Sequence, residues 1–346
     1  MTTVIGIEST AHTFGIGIVQ DGKIIANVKD AFTTSDGEGG MIPVEVAKHH
    51  VAVKDEIYKR ALEEAGLVGK EDKIDAISFS QGPGLAPCLL EGMRFAKELS
   101  LKLEKHLVGV NHCVAHLEVG KITGAKDPVL LYASGANTQV IAYASGKYRV
   151  FGETLDTGIG NFIDSYARYT GLGFPGGPRI EKLANSEGAR YVEIPYTVKG
   201  MDVAFSGMLT NLKQKFDKLK NKNSGCSESD LAYSLQETAF SMLIEVSERA
   251  LAHVGKNELL LGGGVGCNSR LQEMCKIVCE EREKIDGEKT EFFCPPKSLL
   301  VDNGAMIAFL GEIMFRAKAN TFSYVELDKV DILPKQRTDD VEVTWR

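Results

Sequence analysis

Two histidines, His112 and His116, are the residues of this sequence whose types and spacing point most directly to chemistry. They stand in the segment Asn111-His112-Cys113-Val114-Ala115-His116, and side chains four residues apart lie on one face of a helix. At that spacing two imidazoles can share a metal ion, although a histidine pair that only caps or packs a helix is the alternative. In zinc-protease helices a glutamate follows the first histidine as general base. Cys113 occupies that position here, which weakens a peptidase interpretation.

A metal site needs at least one further ligand from elsewhere in the chain. Asp302 is a candidate, because it opens a predicted helix in Asp302-Asn303-Gly304-Ala305-Met306. A carboxylate at that position could cap the helix N-terminus or could face a cleft. The spacing of the residues leaves both roles open.

The elements that must position these residues occur twice. Residues 4–19 and 129–143 each predict two strands around a polar turn, followed by a hairpin turn at Asp21-Gly22 and at Ser145-Gly146. A strand, a glycine turn and a helix then follow in each half, at 74–97 and at 258–271, and helical spacing predicts covering helices over 44–65 and 231–253. We therefore expect a duplicated α/β fold with two lobes around a cleft: an N-terminal lobe of residues 1–128, onto which 303–346 pack back, and a C-terminal lobe of 129–302.

Composition limits the partners and the location. A net charge of −7 and a pI near 5.6 argue against a chain that wraps nucleic acid unaided, because neutralising phosphates needs clustered Lys and Arg. One lysine run could be a solvated helix face or an RNA contact: Lys213, Lys215, Lys218, Lys220 and Lys222. The N-terminus has no signal-peptide pattern, and no apolar run approaches the roughly 20 residues of a membrane span. We expect a cytoplasmic protein without membrane association. The seven cysteines, an odd number, do not predict a disulfide framework.

An ordered set of unusual turns covers nearly the whole chain and resembles one known family. Besides the histidine segment and Asp302–Met306, the set comprises Gly6-Ile7-Glu8-Ser9-Thr10, Ser80-Gln81-Gly82-Pro83-Gly84, Ser134-Gly135-Ala136-Asn137-Thr138-Gln139, Phe174-Pro175-Gly176-Gly177-Pro178 and Ala204-Phe205-Ser206-Gly207. These segments resemble the TsaD family, once called O-sialoglycoprotein endopeptidase, and most closely its archaeal and eukaryotic branch in the KEOPS complex. The resemblance implies the actin-like ATPase and sugar-kinase (ASKHA) fold, with a nucleotide in the cleft.

The resemblance also implies a reaction and its site. The family transfers a threonylcarbamoyl group from threonylcarbamoyl-AMP to the N6 amine of the adenosine beside the anticodon, in tRNAs that read codons beginning with A. His112, His116 and Asp302 are implied as metal ligands for iron or zinc, with the phenol of Tyr132 as an extra ligand. Glu8, together with His112, His116 and Asp302, is a candidate catalytic residue, with a role in the electrostatics of the cleft or in proton handling. ATP or the acyl adenylate is implied at Tyr132, Ala133, Ser134, Gly135, Ala136, Asp164, Gly177, Glu181 and Asn268.

Partners follow from the same resemblance. A KEOPS-type complex would supply a small atypical kinase, a small dimerising subunit and a kinase-binding subunit, while a separate synthase would supply threonylcarbamoyl-AMP. One departure is Ala11-His12-Thr13, where bacterial members carry an acidic pair at the last two positions. Two other functions stay open: a nucleotide-binding scaffold or ATPase that regulates a kinase partner, and a metallopeptidase.

Overall fold

The computed structural model describes residues 1–33, 42–221, 225–287 and 289–346. The chain divides into two units. The first unit consists of Met1–Val119, Ser145–Tyr148 and Val301–Arg346, and the second of Gly120–Ala144 and Arg149–Leu300.

Strands and α-helices alternate along most of the chain. The strands are β1 (Thr3–Glu8), β2 (Thr13–Gln20), β3 (Lys23–Ala31), β4 (Ala76–Gly82), β5 (His106–Asn111), β6 (Val129–Ala133), β7 (Thr138–Ala144), β8 (Lys147–Glu153), β9 (Val198–Lys199), β10 (Asp202–Val203), β11 (Glu258–Gly262), β12 (Glu291–Phe293) and β13 (Thr321–Phe322). The α-helices are α1 (Pro43–Ala65), α2 (Ala86–Leu103), α3 (His112–Gly120), α4 (Ile159–Tyr169), α5 (Gly176–Ala184), α6 (Ser206–Lys220), α7 (Glu228–Val254), α8 (Ser269–Asp286), α9 (Lys297–Leu300) and α10 (Gly304–Arg316).

The first unit is built on a sheet of strand order β13-β5-β4-β1-β2-β3. The β1, β2 and β3 strands form antiparallel hairpins, whereas β4 and β5 add in parallel beside β1. Both faces of β1 are buried, since all six of its residues are inaccessible to solvent. Strands covered on both sides read as continuous apolar runs, which explains the sequence Val4-Ile5-Gly6-Ile7.

The second large sheet, most of which lies in the second unit, repeats this topology. Its order is β12-β11-β6-β7-β8, which matches β5-β4-β1-β2-β3 strand for strand; Ser145–Tyr148, between β7 and the middle of β8, are grouped with the first unit. The two hairpin turns also match: Asp21 and Gly22 have φ of 47° and 76°, and Ser145 and Gly146 have φ of 51° and 79°. Two left-handed residues in a row make the turn that suits the twist of a hairpin. The predicted duplication, its hairpin turns and the helices predicted over 44–65 and 231–253 are confirmed.

Glycines let α10 lie directly on the hairpin of β1 and β2. A Cβ atom at Gly6 would stand 2.1 Å from the backbone nitrogen of Ala308, and one at Gly17 would stand 2.2 Å from that of Ala305. Only glycine permits such close backbone approach. The approach fixes the start of α10, and therefore the residue just before it, near the end of β1.

The lysine run and the membrane prediction can be compared with the helices. Lys213, Lys215, Lys218 and Lys220 lie on α6 as predicted, but Lys222 lies outside the described residues. The ammonium groups of Lys213 and Lys220 stand over the rings of Tyr169 and Phe216.

Among the helices described, none combines the length and the apolar character needed to cross a membrane. The seven cysteines are all free thiols.

His50 on α1 gives the first unit a dependence on pH. Its ring is fully buried, and Nε2 donates to the carbonyl oxygen of Ala11 at 2.9 Å. Burial lowers the pKa of His50 from 6.5 to about 4. Between those values the unfolded chain binds a proton that the folded chain does not, so stability is full above pH 6.5 and falls as the pH drops towards 4.

At this position, His50→Gln has no group that titrates in this range. We therefore expect its free energy of unfolding to fall by about 3 kcal/mol less than that of wild type between pH 7 and pH 4, the free energy that corresponds to a pKa lowered from 6.5 to about 4. The measurement is the urea-unfolding free energy at several pH values from 7 to 4, compared as a slope. His106→Gln, at an exposed position on β5, is the control. Equal slopes for wild type and His50→Gln would contradict the prediction.

Candidate metal centre and nucleotide-binding residues

Three chain segments of the first unit bring the candidate metal ligands together. β1 ends at Glu8, α3 begins at His112 directly after β5, and α10 begins two residues after Asp302. The side chain of Asn111 accepts from the backbone nitrogen of Val114 and so starts α3. Asn303 caps α10 by accepting from the nitrogen of Met306. Since Asn303 is the cap, the side chain of Asp302 is not needed for that role.

The two histidines and the aspartate form one cluster. Oδ1 of Asp302 lies 3.4 Å from Nε2 of His112 and 3.3 Å from Nε2 of His116. The ring centroids of the histidines are 4.9 Å apart. One ligand atom from each of the three residues lies within 4.8 Å of the other two. The helical spacing predicted from sequence therefore places both imidazoles on one face of α3, turned towards the same carboxylate.

Burial and neighbouring charge set the protonation states of the cluster. Burial lowers the pKa of His116 and outweighs the hydrogen bond with Asp302, which favours the charged ring. Burial would raise the pKa of Asp302, but the charge of His112 and hydrogen bonds from both histidines hold it well below its ordinary value. A neutral imidazole and an ionised carboxylate are the forms that bind metal ions.

Glu8 orients the ring of His112. Its carboxylate is inaccessible to solvent, and Oε2 lies 3.0 Å from Nδ1 of His112. Oε1 accepts from the backbone nitrogen of Thr10 at 2.7 Å and also from the Thr10 hydroxyl. Holding Nδ1 in a hydrogen bond to a carboxylate leaves Nε2 as the ligand atom, which is the usual arrangement around protein metal ions.

We expect Glu8→Gln to weaken metal binding by about 10- to 100-fold, because partners of this kind raise ligand basicity and fix the ring. Competition with a chelator of known affinity, followed by elemental analysis, measures the effect. Glu98→Gln, at an exposed position on α2, is the control. An unchanged affinity in Glu8→Gln would show that the carboxylate does not support the site.

The donor set fits the implied metal. Two histidines and one carboxylate with room for further ligands are found in catalytic zinc sites and in non-haem iron sites. All three residues belong to the first unit. Tyr132 belongs to the second unit, where it is fully buried on β6, and its role as an additional ligand stays a prediction.

The predicted nucleotide-binding turn of the second unit is held by backbone hydrogen bonds. Ala133 ends β6, and the following turn closes through the amide of Ser134, which donates to Asn137. The carbonyl oxygens of Ser134 and Gly135 accept from the amides of Gly160 and Asn161 at the start of α4. The turn is thus fixed against the N-terminus of α4, whose first amides are occupied by these bonds and by the hydroxyl of Thr138.

The other predicted nucleotide residues gather around α5 and α8. Gly177 and Glu181 are one turn apart on α5, and Asp164 accepts from the amide of Gly176 at 2.7 Å. Glu181 accepts from the amide and hydroxyl of Ser269, while Asn268 caps α8 by accepting from Arg270 and Leu271. Each of the three polar side chains therefore has a structural bond at a helix N-terminus. Their contact with a nucleotide stays a prediction.

A buried charge cluster on the same helix as the histidines was not predicted from sequence. Glu118 is 1% exposed, accepts from the hydroxyl of Tyr148 at 2.6 Å, and pairs with the guanidinium of Arg346 at 3.0 Å. The guanidinium also stands over the Tyr148 ring. The partners are 30 and 228 positions away, so no local spacing in the sequence signals the cluster.

Comparisons with known proteins agree on a family. The sequence model of TsaD, tRNA N6-adenosine threonylcarbamoyltransferase, matches residues 23–309. Proteins of that name from Thermococcus sibiricus and Archaeoglobus fulgidus are 52% and 48% identical, and each alignment covers 99% of both chains. A probable bifunctional tRNA threonylcarbamoyladenosine biosynthesis protein of Methanocaldococcus jannaschii is 48% identical, but the present chain spans only 60% of it.

Solved structures agree on the fold. HypF of T. kodakarensis superposes with a TM-score of 0.59 at 14% identity, over 91% of this chain and 47% of HypF. The activator of 2-hydroxyisocaproyl-CoA dehydratase from Clostridium difficile superposes with a TM-score of 0.51 at 12% identity, over 92% and 96%. Both have the actin-like ATPase and sugar-kinase fold, which confirms the predicted fold class. With a family match over most of its length and relatives about 50% identical from end to end, this chain belongs to the TsaD family of tRNA N6-adenosine threonylcarbamoyltransferases.

Proposed function

We propose that this chain catalyses transfer of the threonylcarbamoyl group from threonylcarbamoyl-AMP to the N6 amine of the adenosine beside the anticodon, as the catalytic subunit of a KEOPS-type complex. End-to-end identity of 52% with a threonylcarbamoyltransferase carries the proposal. The cluster of His112, His116 and Asp302, supported by Glu8, adds a chemical reason.

The reaction asks for positioning more than for a nucleophile. The N6 amine attacks the carbamoyl carbon of a mixed anhydride, AMP leaves, and the amine loses a proton. Because the anhydride is already activated, catalysis depends on orientation and on stabilising the developing oxyanion. An iron or zinc ion held by His112, His116 and Asp302 would supply a Lewis acid for this purpose. Glu8 keeps the His112 ring in the orientation that such binding requires.

For the adenylate we propose a set of residues in the second unit: Tyr132, Ala133, Ser134, Gly135, Ala136, Asp164, Gly177, Glu181 and Asn268. Gly177 lies in the first turn of α5, a position that supports an anion-binding role for its backbone. The first amides of α4 and α8, in contrast, already donate to protein oxygens. Asp164 and Glu181 each already accept at least one amide hydrogen. Their remaining acceptor capacity is what would meet ribose hydroxyl groups.

Partners are proposed from the chemistry of the chain and from its relatives. With a net charge of −7, this chain has little positive charge to spare for binding tRNA phosphates alone. We therefore propose that the small dimerising, kinase and kinase-binding subunits contribute to tRNA binding. Some relatives are named as bifunctional tRNA threonylcarbamoyladenosine biosynthesis proteins, which supports a second activity that works together with the one proposed here. A separate synthase would supply threonylcarbamoyl-AMP.

The test is reconstitution. The chain is incubated with the partner subunits, the synthase, tRNA, threonine, bicarbonate and ATP, and the digested tRNA is analysed by mass spectrometry for threonylcarbamoyladenosine. Formation that requires this chain supports the transferase. ATP hydrolysis without the modified nucleoside would instead favour the scaffold or ATPase, and chelator-sensitive cleavage of casein would favour the peptidase.

A further inference from the structure

The first unit contains a cavity whose wall includes none of the residues proposed for the metal or the adenylate. Its volume is about 410 Å³, within the usual range of ligand pockets, roughly 300 to 1,000 Å³. Gln81 and Asn111 lie in its wall, near the carboxyl ends of the parallel strands β4 and β5. In α/β sheets, ligands bind beyond that end of the strands. None of the three candidate metal ligands lines the cavity.

Four carboxamide side chains line the wall, and hydrogen bonds fix how they point. Gln81 and Asn111 are 6% and 4% exposed. Nδ2 of Asn320 donates to Oε1 of Gln81 at 2.8 Å, and Nε2 of Gln81 donates to the carbonyl oxygen of Asp331. Nδ2 of Asn111 donates to Oε1 of Gln336 at 3.0 Å. The buried pair therefore holds the outer pair in place.

The outer pair presents one acceptor and one donor. Within residues 1–33, 42–221, 225–287 and 289–346, no protein group bonds to Oδ1 of Asn320 or to Nε2 of Gln336. Both side chains line the cavity. A carboxamide oxygen only accepts and its nitrogen only donates, so a ligand that meets both must carry a donor and an acceptor.

The backbone around the cavity is unusual as well. The pairing of β4 with β5 shifts register between Ser80 and Gly82, where Gln81 stands, and such irregularities re-aim a side chain. Lys318 and Asn320 both have left-handed backbones, with φ of 55° and 42°. Lys318 follows the end of α10, where a left-handed residue is a common helix termination, and Asn is one of the residue types that adopt this region most readily.

The remaining wall limits the charge of a ligand. Lys318 and the carboxylates of Asp340 and Glu342 all line the cavity, so no single sign of charge dominates. Leu333 and Met314 add apolar surface. The wall thus combines many polar groups with a smaller apolar surface, which suits a neutral ligand that carries hydrogen-bonding groups.

We propose that this cavity binds a nucleobase whose edge carries a donor beside an acceptor, as the N6 and N1 or N7 edge of adenine does. The amide oxygen of Asn320 accepts from the exocyclic amine, and the amide nitrogen of Gln336 donates to the ring nitrogen. In nucleic-acid complexes a single Asn or Gln meets adenine with its amide oxygen and nitrogen together; here we assign the two roles to two carboxamides. The base could belong to a free nucleoside or to an unpaired residue of an RNA, and both sources share this edge.

The test measures binding of adenosine to the full chain by equilibrium dialysis. We expect Gln336→Glu, which replaces the donor with an acceptor, to remove one adenosine site or weaken it about tenfold or more. Inosine, which lacks the amine, should fill that site at least tenfold less well than adenosine. Leu333→Trp, which fills the cavity from its apolar side, is an independent second variant and should give the same loss.

Two further arms identify the source and guard against misfolding. Single-stranded oligoadenylate and oligouridylate separate an RNA base from a free nucleoside: tighter binding of oligoadenylate than of adenosine, lost in both variants, assigns the site to RNA. Thermal unfolding and metal content of the variants should match wild type. Identical adenosine isotherms for wild type and both folded variants, or equal binding of inosine, would overturn the proposal whatever the transfer assay shows.

Discussion

His116→Ala is expected to lose its metal ion and to transfer the threonylcarbamoyl group at least about 100-fold more slowly than wild type, while remaining folded. His116 is 2% exposed and stands 3.3 Å from Asp302, so its removal takes one of two imidazoles from the cluster. A Lewis acid contributes several kcal/mol to reactions of this kind, and each 1.36 kcal/mol is a factor of ten in rate. Elemental analysis for iron and zinc and quantification of the modified nucleoside measure the two effects.

His106→Ala is the matched control, because His106 is exposed at the start of β5 and lies outside the cluster. It should keep both metal and activity. Thermal unfolding of His116→Ala separates a lost site from a lost fold. Transfer at the wild-type rate by metal-free His116→Ala would mean that the cluster does not take part in the reaction.

Arg346→Ala is expected to lower the free energy of unfolding by about 3 kcal/mol. The change leaves the carboxylate of Glu118 buried without its guanidinium partner, and breaking a buried ion pair from one side costs roughly 3 to 5 kcal/mol. Because the hydroxyl of Tyr148 still donates to Glu118 at 2.6 Å, we expect a loss of stability at the low end of that range. Urea unfolding in the presence of a chelator measures the loss without a contribution from metal binding.

A double variant tests the cause. Glu118→Gln combined with Arg346→Ala removes the charge that needs a partner, so we expect it to regain at least half of the lost stability. Arg94→Ala breaks an exposed ion pair with Glu91 and should cost no more than about 1 kcal/mol. Equal destabilisation in the single and double variants would show that lost packing, and not the loss of the guanidinium charge beside Glu118, dominates.

Much of the fold could be predicted because its signals are local. Asp21-Gly22 and Ser145-Gly146 predicted two hairpins, because only a few residue types adopt two left-handed backbone conformations in a row. Helical spacing over 44–65 and 231–253 came close to the bounds of α1 and α7. The repeat of strand, turn, strand and hairpin predicted the duplication, and the two sheets have the matching order.

The candidate site was predictable in part. Spacing placed His112 and His116 on one helix face, but it left Asp302 with two possible roles. The neighbouring residue Asn303 takes the cap, a competition that a single sequence does not resolve. The partner of Glu8 also lies 104 positions away in the chain, so its contact with His112 had no local signal.

By itself, the sequence determined the two hairpins, the helices over 44–65 and 231–253 and the residue types of a metal site, because each depends on neighbours a few positions apart. The internal repeat and the family resemblance came from the order of such local segments along the chain. Only the tertiary structure decided which distant side chains meet. Close contact of α10 with Gly6 and Gly17 brings Asp302 to the histidines, and the C-terminal segment supplies both the partner of Glu118 and one wall of the cavity. Such contacts depend on how whole helices and strands pack against one another. That packing is set by side chains and close backbone contacts between segments that are far apart in the sequence.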